Sequence, residues 1–210
     1  MAHLRLAALV SGSGSNLQSI IDSIERGNLD ASVVSVIASR YNIPAEERAA
    51  KYGLYYSVVS RREYGDNTEA MSLRLAEILE TKNVDLVLLC GFLSFLSRDF
   101  VSLYRGRIMN IHPSLLPAFG GKGAYGIKVH QAVLDYGAKI SGCTVMFVDE
   151  GEDSGPIILQ KAVEVREGDT AETLANRVMM AEHIAYPEAV SLFGMGRLQI
   201  EGRKVIISEG

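Results

Sequence analysis

The sequence predicts an α/β protein built on an open, mostly parallel sheet with helices on both faces, late antiparallel strands, a long C-terminal helix and a terminal hairpin. Three observations predict it. Strand-length apolar runs lack polar alternation, amphipathic helical patterns separate them, and a Gly/Ser-rich loop joins the first strand to the first helix. With 48% hydrophobic residues among 210, a sizeable core can be buried and wholesale disorder is excluded.

The elements follow in order. Residues 4–10 form a continuous apolar run, and from Asn16 onward Leu17, Ile20, Ile21 and Ile24 recur at helical spacing. Strand signals return at 33–38 and 55–59, with a short helix at 46–52 between them. Residues 68–81 are helical, with Met71, Leu75, Ile78 and Leu79 on one face, and 85–89 is a fourth buried strand. A fifth strand covers 107–111. The segment 112–126 carries Pro113, Pro117, Gly120, Gly121, Gly123 and Gly126, too many breakers for a regular element, and reads as a long functional loop. A helix follows at 127–136, then strands at 142–148 and 157–165. The longest helical pattern is 170–193, with Asp169 or Thr170 as N-cap. Segments 198–200 and 205–207 flank Glu201, Gly202 and Arg203 as the terminal hairpin. No repeat, low-complexity tract or linker divides the chain, so 1–210 reads as one domain.

Composition narrows the function. Lys and Arg number 21 against 25 Asp and Glu, a net charge of −4, which argues against a nucleic-acid partner. No window approaches the ~18 uninterrupted apolar residues of a membrane span. Residues 1–10 run straight into the first strand without a cleavage site, so a soluble, cytoplasmic protein acting on small molecules is expected, and a homodimer is compatible with it. Cys90 and Cys143 have no Cys-x-x-Cys or His-rich companion, so neither a disulfide nor a zinc site is expected, and both read as small apolar residues at strand ends.

Three segments can carry chemistry. Ser11, Gly12, Ser13, Gly14, Ser15 and Asn16 lie between strand and helix, where backbone N–H groups and the positive helix end favour an anion. The plainer reading is a tight turn with Ser15 and Asn16 as helix caps. Leu17 stands where a dinucleotide fingerprint needs its third glycine. Asn110 and His112, in Asn110-Ile111-His112-Pro113-Ser114-Leu115-Leu116-Pro117, sit at the carboxyl end of a central strand, where ligands of open α/β sheets bind. Being two apart, they point the same way and converge an amide donor and a titratable imidazole. His3, His130 and His183 read as structural. In the run 149–156, Asp149, Glu150 and Glu152 read as a solvated acidic turn, its spacing fails a Ca²⁺ loop, and Asp153 is the acid expected to face inward.

Together with Cys90-Gly91-Phe92-Leu93 and Glu182-His183-Ile184-Ala185-Tyr186-Pro187, these segments resemble, in order and over almost the whole chain, the glycinamide ribonucleotide formyltransferases of purine biosynthesis. The resemblance implies a Rossmann-like fold and 10-formyltetrahydrofolate as co-substrate, with no metal. A phosphate-binding half at about 1–105 and a catalytic and folate-binding half at about 106–210 go with it. It implies that Gly14, Ser15 and Asn16 hold the ribonucleotide phosphate, that Met179, Met180, Ala181 and Glu182 line the same substrate, and that Glu182 contacts its glycinamide end. Leu93, Ser94, Phe95 and Leu96, Asn110, and the loop of Asp149, Glu150, Gly151, Glu152 and Asp153 would hold the folate. Asn110, His112 and Asp153 fall on the family's catalytic positions. Asn110 and protonated His112 would stabilise the oxyanion of formyl transfer, with Asp153 orienting His112.

Two departures from the family are visible. Met146 stands where many relatives have histidine, and Thr68 where they place an arginine, leaving Arg61 and Arg62 as substitutes for holding the folate's glutamate tail. Methionyl-tRNA formyltransferase is disfavoured by the acidic charge and the short chain, and formyltetrahydrofolate hydrolase by the absence of an extra N-terminal domain. A non-catalytic nucleotide-binding module using Arg40 is disfavoured by Leu17.

Overall fold

The computed structural model describes residues 3–65 and 67–209; Met1 and Ala2, the start of the segment read as running into the first strand, lie outside them. The chain divides into two compact units, Met1–Met109 and Asn110–Gly210.

The first unit contains β1 (Leu4–Val10), α1 (Ser15–Glu25), β2 (Ala31–Ala38), α2 (Pro44–Lys51) and β3 (Tyr56–Val58). It continues with α3 (Arg61–Tyr64), α4 (Thr68–Thr81), β4 (Leu86–Cys90), α5 (Arg98–Leu103) and the start of β5 (Ile108–His112). Its strands run in the order β3-β2-β1-β4-β5, and β1 pairs in parallel with both β2 and β4. Every residue of β4 and all but Arg5 in β1 are buried, as a parallel sheet covered by helices requires. The side chains of Leu6, Leu9, Leu86 and Leu88 are fully enclosed, each contributing roughly 1.5–3 kcal/mol of hydrophobic stabilisation. α1 starts at Ser15, one residue before the reading, and buries Leu17, Ile20 and Ile21. α2 starts at Pro44 rather than 46, because proline at the first helical position needs no N–H and arrives with its φ already set. Two helices escaped the reading: α3 and α5, of four and six residues, are too short to show a period. Their one signal is the serine before each, Ser60 and Ser97, whose hydroxyls accept from the N–H groups of Arg62 and Phe100.

The second unit carries the end of β5, then α6 (Ile127–Tyr136), β6 (Ile140–Phe147), β7 (Ile157–Glu164), α7 (Ala171–Gly194), β8 (Leu198–Glu201) and β9 (Lys204–Ile207). The strands follow the order β5-β6-β7-β9-β8, with β6 antiparallel to β7 and β8 antiparallel to β9. The fold is therefore a mostly parallel, Rossmann-like α/β architecture with late antiparallel strands and a terminal hairpin. Cys143 lies in the middle of β6 rather than at a strand end, fully buried opposite Lys161. Thr170 caps α7 in a reciprocal box with Thr173, and Asp169 accepts from Arg177 at 2.7 and 2.8 Å. That bidentate guanidinium holds the Asp169 carboxyl well below the usual carboxylate range. No helix among the described residues is long and apolar enough to cross a membrane.

One hydroxyl fixes the proline-rich turn that follows β5. Thr144 of β6, fully buried, donates to the Ser114 carbonyl at 2.7 Å and accepts from Leu116 N–H and from Gln160 Nε2, each at 3.0 Å. All of its hydrogen-bonding capacity is used. Thr144→Val keeps the shape but strands a buried N–H and a carbonyl, so urea denaturation should show a loss of about 1–3 kcal/mol. Asp169→Asn should lower the melting temperature at neutral pH. A carboxyl depressed in the folded state stabilises fully above the unfolded pKa of about 3.9, so the difference from wild type should shrink as pH falls below that value.

Candidate active site

β5 delivers Asn110, half-buried, and His112, 4% exposed, at its carboxyl end and on one side of the strand. Pro113 ends the ladder, and the chain turns back on itself as the Ser114 hydroxyl donates to the Ala118 carbonyl at 2.6 Å. The turn brings Phe119 to the imidazole: His112 Nε2 lies 3.0 Å from the Phe119 carbonyl oxygen. His112 Nδ1 lies 3.4 Å from Asp153 Oδ2, and the same oxygen accepts from the Gly121 N–H at 2.9 Å. A carbonyl only accepts, so Nε2 carries a hydrogen, and a second hydrogen on Nδ1 would face a carboxylate. The ring thus has a hydrogen-bond acceptor at Nε2 and a carboxylate beside Nδ1. Phe119 and Asp153 both adopt left-handed backbone, with φ of 54° and 48°. Each such residue costs on the order of 1–3 kcal/mol, and both sit against His112.

Asp153 is positioned by the loop between β6 and β7. Asp149 Oδ1 accepts from the Gly151 N–H at 3.0 Å and from the Ser154 hydroxyl at 2.6 Å, so Asp149 closes the loop instead of being merely solvated. Glu150, Gly151 and Glu152 are exposed at its tip. Gly155 then passes against β6, where a Cβ would collide with the Phe147 carbonyl. His130 of α6, also 4% exposed, has an Nδ1 without a hydrogen-bond partner, and burial, then the charge of His112, lowers its pKa. Burial pushes the Cys143 thiol up to about 12, with the nearby Glu182 charge adding to it, so it is no nucleophile at neutral pH.

In the first unit, Gly14 caps α1 with φ of 69°, leaves the cap without a side-chain hydrogen bond, and is followed by no acid in the first turn. Ser15 is the first helical residue and Asn16 is buried behind it, so neither is the cap. Arg48 of α2 lies beside this end, donating from Nε to the Ser13 carbonyl and from Nη1 to Gln18 Oε1, each at 2.7 Å. Neither Arg48 nor the role of Ser11 was read from sequence. The Ser11 hydroxyl meets that of Ser39 at 2.5 Å and accepts from the Leu93 N–H at 2.8 Å, tying the ends of β1 and β2 to the loop after β4. On that loop Leu93 and Phe95 are exposed, while Ser94 and Leu96 are half-buried. On α7, Met179 is half-buried, Met180 exposed, and Ala181 and Glu182 buried, as the rotation of about 100° per residue demands.

The family model described as formyl transferase matches residues 4–190. A trifunctional purine biosynthetic protein adenosine-3 from Bos taurus is 43% identical over 98% of this chain, which spans 20% of that relative's length. A chloroplastic phosphoribosylglycinamide formyltransferase from Arabidopsis thaliana is 41% identical over 89% of this chain and 64% of its own length. Among solved structures, glycinamide ribonucleotide transformylase 1 from Symbiobacterium toebii superposes with a TM-score of 0.93 at 43% identity, covering 100% of this chain and 96% of that one. A family match over most of the chain, with likeness on this scale, means that the chain belongs to the formyl transferase family.

Proposed function

We propose that this chain transfers a formyl group from 10-formyltetrahydrofolate to the amine of 5-phosphoribosylglycinamide, giving formylglycinamide ribonucleotide and tetrahydrofolate in de novo purine biosynthesis. The observation that carries the reading is the pairing of His112 with Asp153, 3.4 Å apart, at the carboxyl end of β5. The relatives named for glycinamide ribonucleotide or phosphoribosylglycinamide, at 41% and 43% identity, support the acceptor. In this reading about 1–105 is the phosphate-binding half and about 106–210 the catalytic and folate-binding half.

The residues present fit these ligands. An uncapped α1 N-terminus without a first-turn acid, and with the Arg48 guanidinium beside it, suits a phosphate on Gly14, Ser15 and Asn16. Leu93 and Phe95, 51% and 61% exposed, leave apolar surface open for a flat ring such as the pterin. The exposed tip residues Glu150, Gly151 and Glu152 carry backbone polar groups suited to a folate, and the exposed Arg61 and Arg62 suit the glutamate tail. Met179 through Glu182 would border the ribonucleotide, Glu182 at its glycinamide end.

The folate supplies the formyl group when bound. Asn110 donates its amide hydrogen to the formyl oxygen as that oxygen gains charge, and His112 supplies a second donor. In the free protein Nε2–H is directed at the Phe119 carbonyl, and the formyl oxygen would share that hydrogen. His112 also moves the proton that the attacking amine loses and the departing nitrogen gains, while Asp153 balances the charge of the ring.

Incubating the chain with 10-formyltetrahydrofolate and following deformylation tests the reading. Turnover should require glycinamide ribonucleotide and be absent with methionyl-tRNA or with water alone; an equal rate in water would make the protein a hydrolase. Asn110→Ala and His112→Ala should each lower kcat about 10²–10³-fold with ribonucleotide affinity changed less than about twofold. Asp153→Asn should lower kcat while leaving the melting temperature close to that of wild type.

A further inference from the structure

We infer that Phe119 is a positioning residue for His112, acting through its backbone carbonyl. The inference rests on the reading of His112 as the acid–base group. The two ring nitrogens face acceptors with opposite demands. The Asp153 carboxylate lies 3.4 Å from Nδ1 and attracts a hydrogen there, while the hydrogen bond to the Phe119 carbonyl at 3.0 Å requires one on Nε2. Of the two, the Phe119 contact is the one with hydrogen-bonding geometry, so a single hydrogen sits on Nε2 and Nδ1 is left bare beside the carboxylate, which would hold a second hydrogen there. Without the carbonyl, Asp153 would be the only acceptor and would pull the hydrogen to Nδ1, leaving Nε2 bare toward a substrate oxygen.

Backbone conformation makes this possible. With φ of 54°, Phe119 turns its carbonyl onto His112, and two residues later the Gly121 N–H reaches Asp153 Oδ2. One short segment therefore grips both members of the pair. An edge-to-face contact of the Phe119 ring with Tyr136, 5.8 Å between centroids, supports a conformation that a bulky residue otherwise avoids.

Two substitutions separate the backbone from the ring. Phe119→Pro fixes φ near about −65° and withdraws the carbonyl, whereas Phe119→Asn discards the ring but tolerates left-handed backbone. Nitrogen-15 spectra of the neutral His112 ring in the substrate-free protein should show hydrogen on Nε2 in wild type and in Phe119→Asn, and on Nδ1 in Phe119→Pro. In formyl transfer to glycinamide ribonucleotide, Phe119→Pro should lose about 10–100-fold in kcat with the ribonucleotide KM unchanged, and Phe119→Asn should recover most of it. Should Phe119→Pro not fold, replacing Gly120 by glycolic acid through ligation weakens the same carbonyl as an acceptor and gives both readouts. Hydrogen on Nδ1 in wild type, an unaltered Phe119→Pro, or a Phe119→Asn that behaves like Phe119→Pro would each overturn the inference. The spectra need no substrate, so they stand even where wild type shows no formyl transfer and the functional reading itself fails.

Discussion

An imidazole taken almost wholly out of water must have its polar atoms answered from within the protein, and His112 is 4% exposed. Meeting that demand organises much of the second unit. Thr144 on β6 fixes the turn after Pro113, and that turn returns the Phe119 carbonyl to one nitrogen. A closed acidic loop between β6 and β7 brings Asp153 to the other. Two left-handed residues are tolerated where the contacts are made. Backbone strain at such places is sustained by the surrounding packing, here a fully buried β6 below its first residue.

The first unit solves a different electrostatic problem. α1 opens without a capping side chain or an acid, and a guanidinium is held beside its positive end. Such an arrangement is unfavourable for the helix alone and favourable once an anion is present. Ser11 joins the strand ends under this loop through two hydrogen bonds, so the loop is anchored by side chains just past β1 and β2 and by a backbone amide beyond β4.

Much of the fold was legible in the residues. α4 and α6 begin and end where the pattern of Met71, Leu75, Ile78 and Leu79, and the breakers around Gly126, place them. The remaining strands and helices agree to within a few residues at their ends. Periodicity does not register helices of one or two turns, so α3 and α5 were invisible. At the candidate site, spacing put Asn110 and His112 together and singled out Asp153, because those are properties of strand geometry and side-chain chemistry. Phe119, Gly121 and Arg48 were not legible. The first two act through main-chain atoms that every residue possesses, and Arg48 matters only because tertiary folding carries α2 to the loop before α1.

The strand order of the second unit ends on β8, whose outer edge has no neighbouring strand among the described residues. An open ladder of amide and carbonyl groups invites recruitment of foreign chains, the hazard behind fibril growth. β8 is only four residues long and closes on Glu201, with Gln199 bonded to it at 3.0 Å. A rim so brief, ending in a charge, offers too little backbone for a stray strand to template upon.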